Sequence, residues 1–562
     1  MNKKILTFCL AAAAALPSAA QNLHPEIVVT NEYESKTVFV PKQALPMAFP
    51  DSLRDFDYKF DYSVFENPYE GSREFNPYLV NVSPEKSGRD TRSLWLRAGA
   101  GWTFHPEFRG VWTPVSKERT RVGVYVDYRG YSGPYRVLAD DLSSVKGSSA
   151  GGNDHAAEAG VSFTRFTDRH EIGASLKYGG IFAGMDDISS LNLGTASFSL
   201  ASREGVSSAI GYSVKASLEA GADRSPEGLL SLAGFGLDGR LVPNIPNLGF
   251  GIVADLGFRY LGCSGVFDAR HVGVSINPKA VWKFGNLDLS AGVRLDMVSP
   301  AGNASGQYSH TGQIIYPDVR ASYAFLDGAL TAYASLTGGA RGVSWREARS
   351  RNHFLRPVLD AGGVLDNEIV RMDAEAGLRG TITQWFNYDF SAGYAFLSGA
   401  MADLVVRTAP AVFYQSLAYV DEGLFHADLS GNLDLENFSA EGTFSFRKAK
   451  VDAGTPMVLP SPFSADVRLG YGWADRLETW VGVRAALARK AVVADIAGGS
   501  LSATPEMTVP GYADVSLGAE YALTRRWKVW GRIGNLLNSD VRILPVHVRR
   551  GINFTAGICL EL

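Results

Sequence analysis

The chain has 562 residues, 46% hydrophobic and 20% charged, with 60 glycines, 30 phenylalanines and 23 tyrosines, and its mean hydropathy is −0.03. Beyond the N-terminus no stretch reaches the ~18 consecutive apolar residues that a membrane helix needs, and glycine at this density disfavours long helices, each one costing roughly 1 kcal/mol against alanine. A formal net charge of −4 is too weak and too mixed for a nucleic-acid binder or a polybasic membrane patch.

Residues 1–20 read as an export signal. Lys3 and Lys4 give the positive start, an apolar core runs from Ile5 to Leu16, and Ser18 and Ala20 supply the small cleavage-site residues. Cleavage leaves Gln21 first and, with both lysines gone, takes the net charge from −4 to −6. Cys9 lies inside the apolar core, too early to carry a lipid, so Cys263 and Cys559 alone remain and no disulfide framework is expected. Residues 21–91 are punctuated by Pro25, Pro41, Pro46, Pro50, Pro68, Pro77 and Pro84. Proline at that spacing removes ladder donors, so this segment is expected to be an extended leader, tethered to the next domain or tucked inside it. Within it, residues 55–62 alternate charged and aromatic side chains and suit a single strand.

Residues 92–562 are expected to form a transmembrane β-barrel. Leu94, Leu96, Ala98, Ala100 and Trp102 share one face of an extended segment, opposite Trp95, Arg97, Gly99 and Gly101. The same period of two returns at Val122–Tyr128, Ile172–Tyr178, Leu248–Tyr260 and Val515–Leu523. It closes the chain, where Phe554, Ala556, Ile558 and Leu560 oppose Thr555, Gly557, Cys559 and Glu561. Alternation sustained for about ten residues, oily on one side and small or polar on the other, suits a strand with lipid on one face and a wet lumen on the other.

The connections alternate in length. Tight turns are read at residues 167–170, 203–206, 284–286, 326–329, 474–476 and 524–526, with Asp-Gly and Gly-Asn among them. Between these lie longer polar links at 131–153, 300–311, 342–366, 400–410, 451–462 and 492–510. Short turns on one rim and long loops on the other are the asymmetry of outer-membrane barrels, the long loops facing outside. The count comes to about 22 antiparallel strands, an all-β fold with an extended N-terminal leader.

No arrangement of catalytic or metal-binding residues emerges, and the expectation is a non-enzyme without cofactor. The one nucleotide-like match, Gly234-Phe-Gly-Leu-Asp-Gly239, lies within an alternating strand and lacks the helix that would turn backbone amides onto a phosphate. The nine histidines are scattered: His24, His105, His155, His170, His271, His310, His353, His426 and His547. The more informative set is the charge on inward faces: Arg97, Arg121, Asp127, Arg129, Asp255, Arg259 and Glu520. Two readings stand for it: a lining that selects solutes or docks a plugging segment, and an internal lattice of ion pairs. In the first long link, the Ser/Gly-rich residues 143–152 suit a mobile lid.

The closing segment resembles the end of TonB-dependent receptor barrels. Val509-Pro-Gly-Tyr-Ala-Asp-Val-Ser-Leu-Gly-Ala is similar to that family's penultimate hairpin entry, and Trp527-Lys-Val-Trp-Gly-Arg-Ile-Gly-Asn-Leu-Leu-Asn538 to its strand ending in Asn-Leu. Arg550-Gly-Ile-Asn-Phe554 resembles the opening of its last strand, with Arg and Gly exchanged, and Leu562 stands where the family commonly ends in an aromatic residue. The resemblance implies a 22-strand barrel in the outer membrane. It also implies a plug domain before the barrel, which the short leader does not accommodate, so a plugless relative is expected. Residues 26–30 (Glu-Ile-Val-Val-Thr) look like a TonB-binding box. The expected function is solute binding or passage across the outer membrane, the lumen being occluded by the leader or by a partner protein. The alternative is a non-transporting accessory subunit of an outer-membrane assembly or export complex, with a surface lipoprotein or assembly-machine subunit as partner.

Overall fold

The computed structural model describes residues 93–562, apart from 118, 186, 204–209, 246–247, 300–309, 311–313, 327, 356–364, 474–475, 497–501 and 550. Residues 1–92, with the export signal, the leader, its 55–62 alternation and the TonB-box candidate, lie outside the described residues.

Twenty-two strands form one closed antiparallel barrel. In chain order the first are β1 (Leu94–Trp102), β2 (Glu107–Lys117), β3 (Thr120–Leu138), β4 (Ser144–Phe166), β5 (His170–Gly184) and β6 (Ile188–Ser202). Then come β7 (Ile210–Ser225), β8 (Gly228–Pro243), β9 (Gly251–Gly265), β10 (Ala269–Phe284), β11 (Leu287–Val298) and β12 (Ile315–Leu326). The third group is β13 (Leu330–Gly342), β14 (Asn367–Ile382), β15 (Phe386–Ala409), β16 (Val412–Asp434) and β17 (Phe438–Lys450). The last five are β18 (Phe463–Trp473), β19 (Leu477–Ala486), β20 (Tyr512–Ala522), β21 (Trp527–Gly534) and β22 (Asn553–Glu561). Each strand pairs with the next, and β22 pairs back onto β1, from Trp95 against Glu561 to Trp102 against Phe554. Closure leaves no edge, which is what a sheet in lipid requires.

The period-two reading holds along the wall. On β22, Phe554 and Ile558 are exposed at 54% and 50%, whereas Thr555 and Cys559, each next along the strand, are exposed at 1%. Outward aromatics fall in two bands on β15: Phe386 beside Tyr388, and Tyr394 beside Phe396. Eight residues separate the bands, about 20 Å of height on a tilted strand, close to the oily thickness of a barrel. The tight rim is set by turn chemistry: Gly285 joins β10 to β11 at φ 56° and Gly328 joins β12 to β13 at φ 90°, backbone angles that a Cβ would strain.

The strand ends that bound the turns and links read from the sequence lie on the expected rims, but two of the long links are not loops. Residues 131–153 form the upper halves of β3 and β4 around a turn at 139–143, and 400–410 continue β15 to its turn at 410–411. Of residues 143–152, expected as a mobile lid, Ser144 and 149–152 pair with β3, Ser149 opposite Arg136 and Gly152 opposite Gly133, with an irregularity in register at 145–148. These segments lose the oily alternation because they rise above the bilayer: β4 has 23 residues and β15 has 24, against the roughly 9–11 that span a membrane. The wall is low at the seam, where β21, β22 and β1 have 8, 9 and 9 residues.

Candidate functional site: the lumen and its outer closure

The inward charges of the lower wall form a lattice of ion pairs. Arg97 meets Glu520 at 3.1 Å, Glu520 meets Lys528 at 3.2 Å, and Lys528 meets Glu561 at 2.9 Å. Asp127 takes Arg129 at 3.0 Å and Arg109 at 3.3 Å, and Asp255 takes Lys279 at 2.7 Å and Arg240 at 3.4 Å. Arg121 lies over the Phe166 ring at 5.1 Å. Of the seven inward charges picked from the sequence, Arg97 and Glu520 meet each other, as do Asp127 and Arg129. Asp255 pairs with residues not on that list, and Arg259 is exposed to the lumen. Gly234–Gly239 lies in β8, paired with β7 and β9 as a strand.

The element that the sequence reading took for an outer loop turns into the barrel. After β13 the chain forms helix α1 (Trp345–Arg351). Ser344 caps it, its side chain accepting from the Glu347 amide at 3.1 Å, with Glu347 in the first turn and Arg349 and Arg351 in the last, each placed to suit the helix dipole. Trp345 is 2% exposed and Arg349 is fully buried. The Trp345 indole donates to Asp223 Oδ2 at 2.7 Å and Arg349 Nε lies 3.0 Å from the same oxygen, with Asp223 itself at 0% exposure. Arg349 also donates to Ser189 Oγ at 2.9 Å and to the Leu355 carbonyl at 2.6 Å. Nε reaches Asp223 as an ion pair without a hydrogen bond, and Asp223 Oδ1 has no hydrogen bond either, so the pair is costly to bury and removing one partner strands the other charge.

The wedge grips opposite walls. His353 approaches Asp154 on β4 at 2.6 Å, and Arg346 approaches Glu219 on β7 at 3.2 Å. On the other side Arg351 donates to the Met401 carbonyl on β15 at 2.6 Å. β4 and β15 stand eleven places apart in a ring of twenty-two (15 − 4 = 11), on opposite sides of the lumen. Around the wedge packs an apolar core drawn from the upper inner wall, with Tyr131, Tyr135, Leu191, Leu230, Cys263 and Phe267 meeting Trp345, Phe354 and Leu355.

A second layer lies over the first. Residues 535–549, between β21 and β22, lean on the β3–β4 hairpin: Arg542 donates to the Leu142 carbonyl at 2.6 Å and to Ser144 Oγ at 2.7 Å, and the Arg136 amide donates to the Val548 carbonyl at 3.0 Å. Three short strands, Met457–Val458, Arg489–Val492 and Met507–Val509, form a small sheet beside them. Leu138, Leu142, Val405, Val493, Val509 and Val548 fill the core of this roof. The two layers meet where the Phe354 ring stacks on His547, centroids 3.8 Å apart and planes at 17°. His547 donates from Nδ1 to the Gln415 amide oxygen at 3.0 Å, and burial holds its pKa down to about 3, so the ring is neutral. Asp154 is shared: it accepts from His353 of the wedge and from Arg549 of the roof. Of the wedge residues the sequence reading named only His353, as one of nine scattered histidines. The readable trace was the Ser344-Trp-Arg-Glu347 spacing of a helix start.

No protein-family model matches the chain, and no curated protein matches it. Solved structures do resemble it in fold. Copper transporter OprC superposes with a TM-score of 0.58 at 12% identity, over 84% of this chain and 80% of that one. The FrpB iron transporter from Neisseria meningitidis gives 0.61 at 10% identity over 84% and 81%. The ferric-catecholate import receptor Fiu from K12 E. coli gives 0.59 at 10% identity over 84% and 82%. At such identities the likeness is one of fold, and together with the oily exterior it places the protein in the outer membrane.

Proposed function

We propose that this barrel binds or passes a solute across the outer membrane through a lumen that its own loops close at the outer mouth. The observation that carries the reading is the wedge of residues 343–355. A ring of 22 strands encloses a wide polar space, and a segment held to the wall by non-covalent contacts alone fills its outer end, so closure is reversible. The copper, iron and ferric-catecholate carriers of like fold support the class, and no substrate is carried over from them. In this reading residues 1–20 are an export signal, residues 21–91 a leader in place of a plug domain, and residues 26–30 the segment to test for TonB contact.

The test is conductance in planar bilayers. Purified protein is expected to be closed or to flicker, and protein with residues 345–364 replaced by a short Gly-Ser link is expected to conduct in steady steps. If neither conducts, with the leader present or deleted, passage is wrong. The second reading, an accessory subunit of an outer-membrane machine, is favoured by how completely the roof is packed. It predicts a stoichiometric partner on purification in gentle detergent.

A further inference from the structure

The two layers that shut the outer mouth are not equivalent. The wedge is held to the wall by Asp223, Glu219 and Ser189, all reached from below the roof. Its last described stretch before residue 356, His353–Leu355, is overlain by the loop at 535–549: Phe354 lies flat against His547, and His353 shares the Asp154 carboxylate with Arg549. Tyr135 stands edge-on to both rings, at 5.6 Å from Phe354 and 6.2 Å from His547, and the Arg549 guanidinium covers Tyr131 at 4.7 Å. The roof loop in turn is fixed to the hairpin tip through Arg542 and through Arg136 with Asp540 at 3.2 Å. For the wedge to swing outward, Phe354 must first part from His547, and His353 must leave a carboxylate that Arg549 still holds.

We propose that the roof loop at 535–549 is a bolt and the wedge at 343–355 the gate behind it, so that the mouth opens in a fixed order with the bolt released first. As the route to solute passage this rests on the function proposed above; as a motion it rests on the contacts alone. The bolt acts through one stacked ring and one shared carboxylate, so small changes there free the gate without touching Arg349 or Asp223.

The chain carries its own reporter. Cys263, on β9, is 7% exposed and packs in the same core as Trp345, beneath the gate. In a Cys559→Ser background it is the one thiol outside the export signal. Intact cells are treated with a membrane-impermeant maleimide. The parent is expected to label slowly; His547→Ala and Asp154→Asn are each expected to label about tenfold faster, the effect of losing one aromatic stack or one charge-assisted bond. Heat-shifted migration on gels confirms the barrel is folded, and if Asp154→Asn lacks that shift, His547→Ala, which removes no net charge, decides. Rapid labelling of the parent overturns the proposal, as does an unchanged rate in folded His547→Ala. Faster labelling without solute flux upholds the bolt and sinks passage; flux rising in His547→Ala with Cys263 still shielded sinks the bolt.

Discussion

The seam between β22 and β1 is where this barrel is closed, and along its middle small residues face each other. Gly99 stands opposite Gly557, Ala100 opposite Ala556, and Gly101 opposite Thr555. Across it runs a chain of charges: Arg97 on β1 reaches over β22 and β21 to Glu520 on β20, which also takes Lys528, which also takes Glu561. Their side chains are between 9% and 23% exposed, too enclosed for bulk screening to erase. Glu520→Gln keeps the shape and one acceptor and removes the charge from two contacts. A hydrogen bond to a charged group contributes roughly 1 kcal/mol more than a neutral one, so the loss is about 2 kcal/mol. The comparison is Asp466→Asn, which breaks the Arg484–Asp466 pair at 3.0 Å between adjacent strands, with both side chains more than half exposed; about 0–0.5 kcal/mol is expected there. Because large barrels unfold irreversibly, the measurement is the temperature at which folded protein converts to the slow-migrating band at a fixed heating rate. Glu520→Gln must fall clearly below both wild type and Asp466→Asn. Equal shifts in the two variants would refute the idea that ion pairs carry the seam.

Three further outcomes follow from particular contacts. A Cβ at Gly518 would enter the Trp480 ring, on which Arg468 stacks at 4.8 Å, so Gly518→Ala should cost about 1–3 kcal/mol and shift tryptophan emission. Gly531→Ala, whose nearest foreign atom lies at 3.8 Å, should change neither. His310 bonds to Asp366 and faces Asp421 and Arg371, and the Asp366 bond raises its pKa above 6.5. Its anchoring is therefore complete below about pH 6.5 and fades as pH rises through the higher folded value; histidine NMR should show the raised titration in wild type and its return towards 6.5 in Asp366→Asn. His547 has the opposite sign. Its pKa is pushed down to about 3 by burial, with Asp154 raising it and Arg549 lowering it, so its contact is intact at neutral pH and weakens as pH falls below about 6.5. At pH 5 the deficit is about 2 kcal/mol, so the labelling rate of Cys263 divided by that of a small free thiol at the same pH, which cancels the fall in thiolate, should be higher at pH 5 than at pH 7.5, a difference that His547→Ala abolishes.

The membrane-spanning part was legible because lipid enforces it. One face must be oily and the backbone must be paired, so Leu94 to Trp102 and Phe554 to Leu560 announce themselves by period alone. Above the bilayer that enforcement ends. Gly133, Pro134, Gly151 and Gly152 read as a loop by composition, yet the ladder continues through them. In β15 the failure has another cause. Leu404, Val405 and Val406 are buried at 3%, 0% and 0% in succession, because the strand there has protein on both faces, and a doubly covered strand shows a continuous apolar run where a half-covered one alternates. The inward turn of residues 343–355 left only its capping residues as a trace, since Arg349 and Trp345 are buried by partners distant in sequence.

Wall height and closure are two sides of one arrangement. The wedge holds Asp154, Ser189 and Asp223 on one side of the lumen and Met401 on the other. Counted from the tight-turn end of their strands, these lie 12 (Phe166 to Asp154), 13 (Ser202 to Ser189), 13 (Ile210 to Asp223) and 15 (Phe386 to Met401) residues up, each beyond the roughly 9–11 residues that lipid requires. Strands cut to bilayer length would make a sound barrel and leave α1 with nothing to grip. The extra pairing in β3, β4, β15 and β16 is thus a scaffold for the mouth, and shortening the β15–β16 hairpin above Phe396 should free the wedge while leaving the barrel's heat-shifted migration unchanged.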